Sequence, residues 1–213
     1  MSHRQTTEDL IASLAAMPAP PRLRMSRIAL QIVGLVAIGI FALLFTTGLR
    51  PDLAEALTTP ITLAKTAIPL SLAAIALPAA MLTARPDAHP PLWLLALPIA
   101  VAVALYLATM AGTPVSMIPQ RIIGVSIATC LTSITALSLT PIIVGTALMR
   151  RGATTRPTLT GALIGLASGA GAAAGYALHC LDDNPLFFVT WYGIGIAIAT
   201  AVGAILGRHW LRW

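Results

Sequence analysis

The chain has 213 residues, 57% of them apolar and only 9% charged, with a formal charge of +6. Soluble domains average about 25% charged residues, so this composition excludes an ordinary soluble domain and fits a chain that crosses a membrane several times. The positive charge is spread along the sequence rather than gathered into a patch, which removes its value as a nucleic-acid signal.

Residues 1–26 are polar and proline-containing, without the charged head, apolar core and small-residue cleavage site of a signal peptide. Within them, 6–17 (TTEDLIASLAAM) predicts one helix outside the membrane. Thr6 or Thr7 caps it, and Glu8 and Asp9 fall in the first turn, where carboxylates suit the helix dipole. Leu10, Ile11, Leu14 and Met17 form one apolar stripe, and Pro18, Pro20 and Pro21 end the helix. About three turns are marginally stable alone in water. The stripe therefore needs a surface, either its own membrane domain or a groove on a partner.

Residues 27–213 carry six apolar runs, at 27–48, 61–83, 91–111, 122–149, 158–178 and 186–207. Each offers about 20 residues or more, enough to cross a hydrocarbon core about 30 Å thick. The expected fold is all-α, a six-helix transmembrane bundle behind a short cytoplasmic amphipathic helix. The second run holds Lys65, Pro69 and Pro78, and the fourth is interrupted by Pro141. Prolines are tolerated where neighbours satisfy the freed carbonyls, and Lys65, near the end of its run, is expected to snorkel to the interface. Gly161, Gly165 and Gly169 recur every four residues in the fifth run and predict close approach of another helix backbone.

Counting Lys and Arg gives an orientation. With the N-terminus inside, Arg4, Arg22, Arg24, Arg27, Arg85, Arg150, Arg151, Arg156, Arg208 and Arg212 are inside, ten of the thirteen basic residues. Arg50, Lys65 and Arg121 are outside, with Asp52, Glu55, Asp182 and Asp183. Both termini are thus expected in the cytoplasm, in contact with lipid throughout, and the charge needs no nucleic acid.

The densest chemistry lies in GYALHCLDDNPLFFVTW, residues 175–191, between the last two runs. Cys180 is placed at the outer end of the fifth run, and Cys130 in the outer half of the fourth. Pairing them requires Cα atoms within about 7 Å. That needs the 179–184 loop to dip, or the fourth helix to begin later than 122. The alternatives are an inert buried thiol at Cys130 with an exposed one at Cys180, or a thiol pair facing an oxidising compartment. His179, Cys180 and Asp182, with Cys130, are candidate ligands for a transient thiophilic heavy-metal ion, although they lack structural-zinc spacing. Asp183, Asn184 and Pro185 also suit a helix start, and Trp191 and Tyr192 suit an interfacial belt. No Ser–His–Asp constellation, His-rich cluster or acid pair suggests an enzyme. A small six-span transporter is the alternative, without an ionisable residue at mid-membrane to support it.

The pattern resembles the negative regulator of sigma-F family of membrane anti-sigma factors. It is carried by TEDLIASL at 7–14, a Cys in the fourth run, and HCLDDNP at 179–185 followed by Phe187 or Phe188 and Trp191-Tyr192-Gly193. The likeness extends over nearly the whole chain. It implies a non-enzymatic inner-membrane protein that holds an extracytoplasmic-function sigma factor inactive at its cytoplasmic face, with no required cofactor. Cys130 and Cys180 would sense oxidising or heavy-metal stress and release it, supported by the surrounding loop residues. Glu8, Asp9, Leu10, Ile11 and Leu14 would contact the sigma factor. So short a tail leaves little area against the about 800 Å² per partner of a standard interface, so cytoplasmic loops would have to help.

Overall fold

The computed structural model describes residues 6–16, 24–85, 88–152 and 154–212, with the Leu14 side chain outside that set. The expectations for Arg4, Met17, Pro18, Pro20, Pro21 and Arg22 lie outside the described residues. Helix α1, Thr7–Ala16, begins where expected because Thr6 and Asp9 satisfy each other. Thr6 Oγ1 donates to Asp9 Oδ2 at 2.6 Å and accepts the Asp9 N–H at 3.3 Å, a reciprocal cap of its first turn. The Thr6 hydrogen bonds also hold the Asp9 carboxyl below its usual range. Leu10 and Ile11 stand 49% and 55% exposed, so this part of the stripe is left uncovered.

Six helical segments are long and apolar enough to cross a membrane: Met25–Thr47, Pro60–Leu82, Leu92–Ala111, Ile127–Met149, Pro157–Tyr176 and Pro185–Trp210. These are α2, α4, α5 (Ala96–Ala111 after a 3₁₀ turn), α7, α8 and α9; the short α3, Leu53–Ala56, and α6, Ile118–Ile123, lie between them. Five agree with the apolar runs to within a few residues. The fourth is corrected: the expected 122–149 run breaks at Gly124 and its helix starts at Ile127. Ile122, Ile123, Val125 and Ile127 keep the hydropathy high through the break, which hides it. Gly124 takes φ +55°, and a Cβ there would lie 2.5 Å from the Phe187 ring, so conformation and space both require glycine.

The axis of the bundle is α8, with 72% of its apolar stretch buried against 6–28% for the others. Small residues explain this position. A Cβ on Gly161 would lie 2.1 Å from the Gly203 carbonyl oxygen, and one on Gly165 2.3 Å from that of Ala199. The α8 and α9 backbones therefore touch, the close packing that small residues permit inside a membrane. Helices α4 and α7 also pack on α8, α2 covers α7 and α8, and α5 lies outermost against α4 and α9. Outward side chains such as Phe41, Phe45 and Leu97 are exposed, as lipid-facing positions are.

Each end of the bundle has its own buried cluster. One gathers Ile28, Ile32, Ala80, Met149 and Ile164. Beside it three hydroxyls join: Thr160 Oγ1 donates to Thr83 Oγ1 at 2.8 Å and lies 2.8 Å from Thr154 Oγ1. This chain fastens the α4 terminus to the start of α8. The other cluster holds Cys130, Ile134, Tyr176, Cys180, Phe187 and Tyr192.

Candidate functional site

The turn from α8 to α9 organises the second end. Asn184 caps α9 through Oδ1, which accepts the Leu186 N–H at 2.9 Å, and Pro185 occupies the first turn, where its missing N–H costs nothing. His179 Nδ1 donates to the Gly48 carbonyl oxygen at 2.9 Å, which ties the turn to the end of α2. The Arg50 N–H adds a bond to the Leu178 carbonyl oxygen at 3.1 Å.

A compact charge cluster grips this turn. Arg50 holds Asp183 with two bonds of 2.8 and 2.7 Å, and Asp52 with two of 2.8 Å. Lys65 Nζ donates to the Cys180 carbonyl oxygen at 2.7 Å and to Asp183 Oδ1 at 3.1 Å. Arg50 Nη1 reaches the same carbonyl at 3.4 Å. Lys65 does not snorkel: its side chain is 0% exposed, because Asp183, 118 positions away, meets it inside the protein. Two cations thus face two carboxylates, and the set closes without net charge. The Asp52 and Asp183 hydrogen bonds raise the Arg50 pKa, and Arg50 holds Asp52 down to about 2. Burial pushes the Asp183 carboxyl up, but the Arg50 hydrogen bond and the Lys65 charge outweigh it and keep the group below its usual range.

The late start of α7 meets one of the two conditions for bringing the thiols together. Cys130 falls in the first turn of α7, its N–H on the Ser126 carbonyl oxygen, and is 0% exposed. Cys180 is 3% exposed, which replaces the surface thiol of the bland reading with a buried one. Both are free thiols of a single apolar cluster. Ser126 joins the two sides: its Oγ donates to Asp182 Oδ2 in a short hydrogen bond and lies 3.9 Å from Cys180 Sγ. Trp191 Nε1 donates to the Ile122 carbonyl oxygen at 2.7 Å, clasping α6 to α9.

Among the candidate loop residues, Asp182, Asp183, Asn184, Pro185 and Trp191 hold the turn. Tyr192 is buried beside the thiols, against Tyr176 at 6.0 Å between ring centroids, so it belongs to the core rather than to an interfacial belt. Among the described residues, no three His, Cys, Asp or Glu side chains gather into a metal-holding group. His179 is turned to Gly48, and Asp182 to Ser126. Glu8, Asp9, Leu10 and Ile11 lie on exposed α1, far along the chain from this turn. Arg50, Lys65, Ser126 and Gly124 were not singled out from the sequence as parts of the site. A basic residue inside an apolar run was the available signal for Lys65; nothing local marks Ser126.

The family model for negative regulator of sigma F matches residues 13–213. The chain is 33% identical to the anti-sigma-F factor NrsF of Caulobacter vibrioides over 219 aligned residues, covering 97% of this chain and 99% of that one. It is 34% identical to a probable anti-sigma-F factor NrsF of Azospira oryzae, with the same coverages. No solved structure matches it significantly. A family match over the membrane-crossing bundle, at this identity and across nearly the full length of both relatives, shows that the chain belongs to the negative regulator of sigma F family.

Proposed function

We propose that this chain is a polytopic inner-membrane anti-sigma factor that holds an extracytoplasmic-function sigma factor at the cytoplasmic face. It releases that factor when Cys130 and Cys180 meet oxidising or heavy-metal stress. The observation that carries the reading is the pair of buried free thiols, 50 positions apart, in one cluster at the end of the bundle expected to face outward. A thiolate is both the nucleophile of oxidation and the ligand of soft ions, so disulfide closure and soft-ion capture draw on the same pair. Either joins the start of α7 to the turn after α8.

The opposite end is the site of binding. Leu10, Ile11 and Leu14 are the anchors, with Glu8 and Asp9 facing the basic surface of a DNA-binding partner. Connections that include Arg85, Arg150, Arg151 and Arg156 enlarge the contact. The Lys65 bond and the Thr83–Thr160 bond fasten α4 to the α8 side at both ends, so movement of the Cys180 turn has a stiff element to act on. Replacing Leu10 and Leu14 by Asp is expected to leave the protein in the membrane and abolish co-purification of a sigma factor, identified by mass spectrometry. Undiminished co-purification would remove α1 from the interface. A small transporter, the alternative, predicts no sigma factor in either sample.

A further inference from the structure

We propose that the groove between α4, α5 and α9 binds a membrane-dissolved quinone that accepts the electrons of Cys130 and Cys180. The proposal rests on the thiol-pair reading above. The groove has a volume of about 570 Å³ and lies along three membrane-crossing segments. Leu72, Pro98, Val103 and Ile196 give it apolar walls, while Lys65, Tyr192 and Thr200 bring its polar side chains. Thr200 is already spent on the Ile196 carbonyl oxygen. The other two are not. Lys65 uses two of its three N–H groups, and the buried Tyr192 hydroxyl has no hydrogen-bond partner among the described residues.

These features select the occupant. It has an apolar body, it arrives from the hydrocarbon, and it carries hydrogen-bond acceptors at one end. An anionic head is disfavoured, because Asp52 and Asp183 already balance Arg50 and Lys65. A neutral quinone carbonyl suits a spare ammonium N–H and a phenol O–H. Phe188 and Tyr192 line the groove and also belong to the cluster around the thiols, so they form the wall between the two. With Cys130 and Cys180 at 0% and 3% exposure, a water-soluble oxidant has to cross apolar packing, whereas a membrane-dissolved one reaches that wall sideways.

The step balances. The two thiols lose two protons and two electrons as the S–S bond forms, and the quinone gains both pairs to become the quinol. Tyr192 and Lys65 donate to the carbonyl oxygen as negative charge builds on it.

Gly193 supplies a clean block: it lines the groove, and a Cβ there meets nothing within 4 Å. The test uses the reduced full-length protein in lipid nanodiscs without oxygen, with decylubiquinone as probe. Quinone loss is followed by absorbance and the disulfide by non-reducing mass spectrometry. The wild type is expected to form one quinol per disulfide. Gly193→Leu should slow this at least tenfold yet react at the wild-type rate with diamide, a water-soluble two-electron thiol oxidant. Tyr192→Phe should slow the quinone reaction selectively as well. Absence of quinol in the wild type overturns the proposal, as does a Gly193→Leu rate equal to wild type, the result expected if the groove holds only a lipid acyl chain. A disulfide formed with diamide but not with the quinone refutes the quinone site and leaves the thiol pair standing. No disulfide with either oxidant refutes both this proposal and the redox form of the sensor.

Discussion

Removing the Asp183 carboxylate is the most informative single change at the charge cluster. In Asp183→Ala, Lys65 keeps the Cys180 carbonyl but loses its counter-charge while remaining 0% exposed. Breaking a buried pair by deleting one partner costs about 3–5 kcal/mol. The low end, about 3 kcal/mol, applies here, because Asp183 is 31% exposed and water screens part of the interaction. Lys65→Met costs far less, about 1 kcal/mol, since Arg50 still neutralises Asp183 and the methionine fills the vacated stem. Combining them removes the stranded cation, so the double variant should cost about 2 kcal/mol rather than the sum of about 4, a coupling of about 2 kcal/mol. Reversible unfolding in mixed micelles measures all three, and each kcal/mol corresponds to about 2–4 °C in Tm for a chain this long. Additive losses, or an Asp183→Ala cost below about 1 kcal/mol, would show that Lys65 is not held in the membrane by Asp183.

Other expectations follow from the same geometry. Gly161→Ala would press its methyl against the Gly203 carbonyl oxygen at 2.1 Å, so it should separate α8 from α9 and cost about 3 kcal/mol in the same unfolding assay. With Asp52 at about 2 and Asp183 also held low, the cluster's stabilisation is complete above the ordinary carboxylate pKa of about 4 and is lost as pH falls through the lower folded values. Tm should therefore be level from about pH 8 to 5 and drop below about 4, with a shallower drop in Asp183→Ala. Trp191→Phe deletes the donor to Ile122, so hydrogen exchange at 118–126 should quicken while the rest of the bundle is unchanged. Because Cys180 is buried, topology is better read at Leu181, which is 63% exposed. On intact cells an impermeant maleimide should label Leu181→Cys and not Ser13→Cys.

The sequence carried the membrane architecture because hydropathy over about 20 residues is a sum that single residues barely alter. It carried α1 and the Asn184-Pro185 start of α9 because caps are local chemistry. The break at Gly124 escaped for the converse reason, since Ile122, Ile123 and Val125 give an apolar loop the hydropathy of a helix. Lys65 was misplaced because snorkelling depends only on its position in the run, while its actual fate depends on Asp183 from another part of the chain. Arg50 looked like an outer-loop charge until the fold put it over the Cys180 carbonyl. Ser126 shows the same limit more sharply: a lone serine near an apolar run has no signature of its own, and its bond to Asp182 spans 56 positions.

Cysteine-dependent release tests the account at its centre. A tagged full-length protein is purified with its sigma factor from cells treated or not with chromate or cadmium, and the bound fraction is measured alongside a non-reducing gel. Wild type should lose most of its sigma factor on treatment. Cys130→Ser and Cys180→Ser should each bind the untreated amount and keep it. An internal Cys130–Cys180 crosslink that appears with release identifies closure by oxidation, and release with thiols protected by bound metal identifies capture of the ion. Full release from the Cys130→Ser/Cys180→Ser double variant would contradict the account and place the signal elsewhere in the bundle.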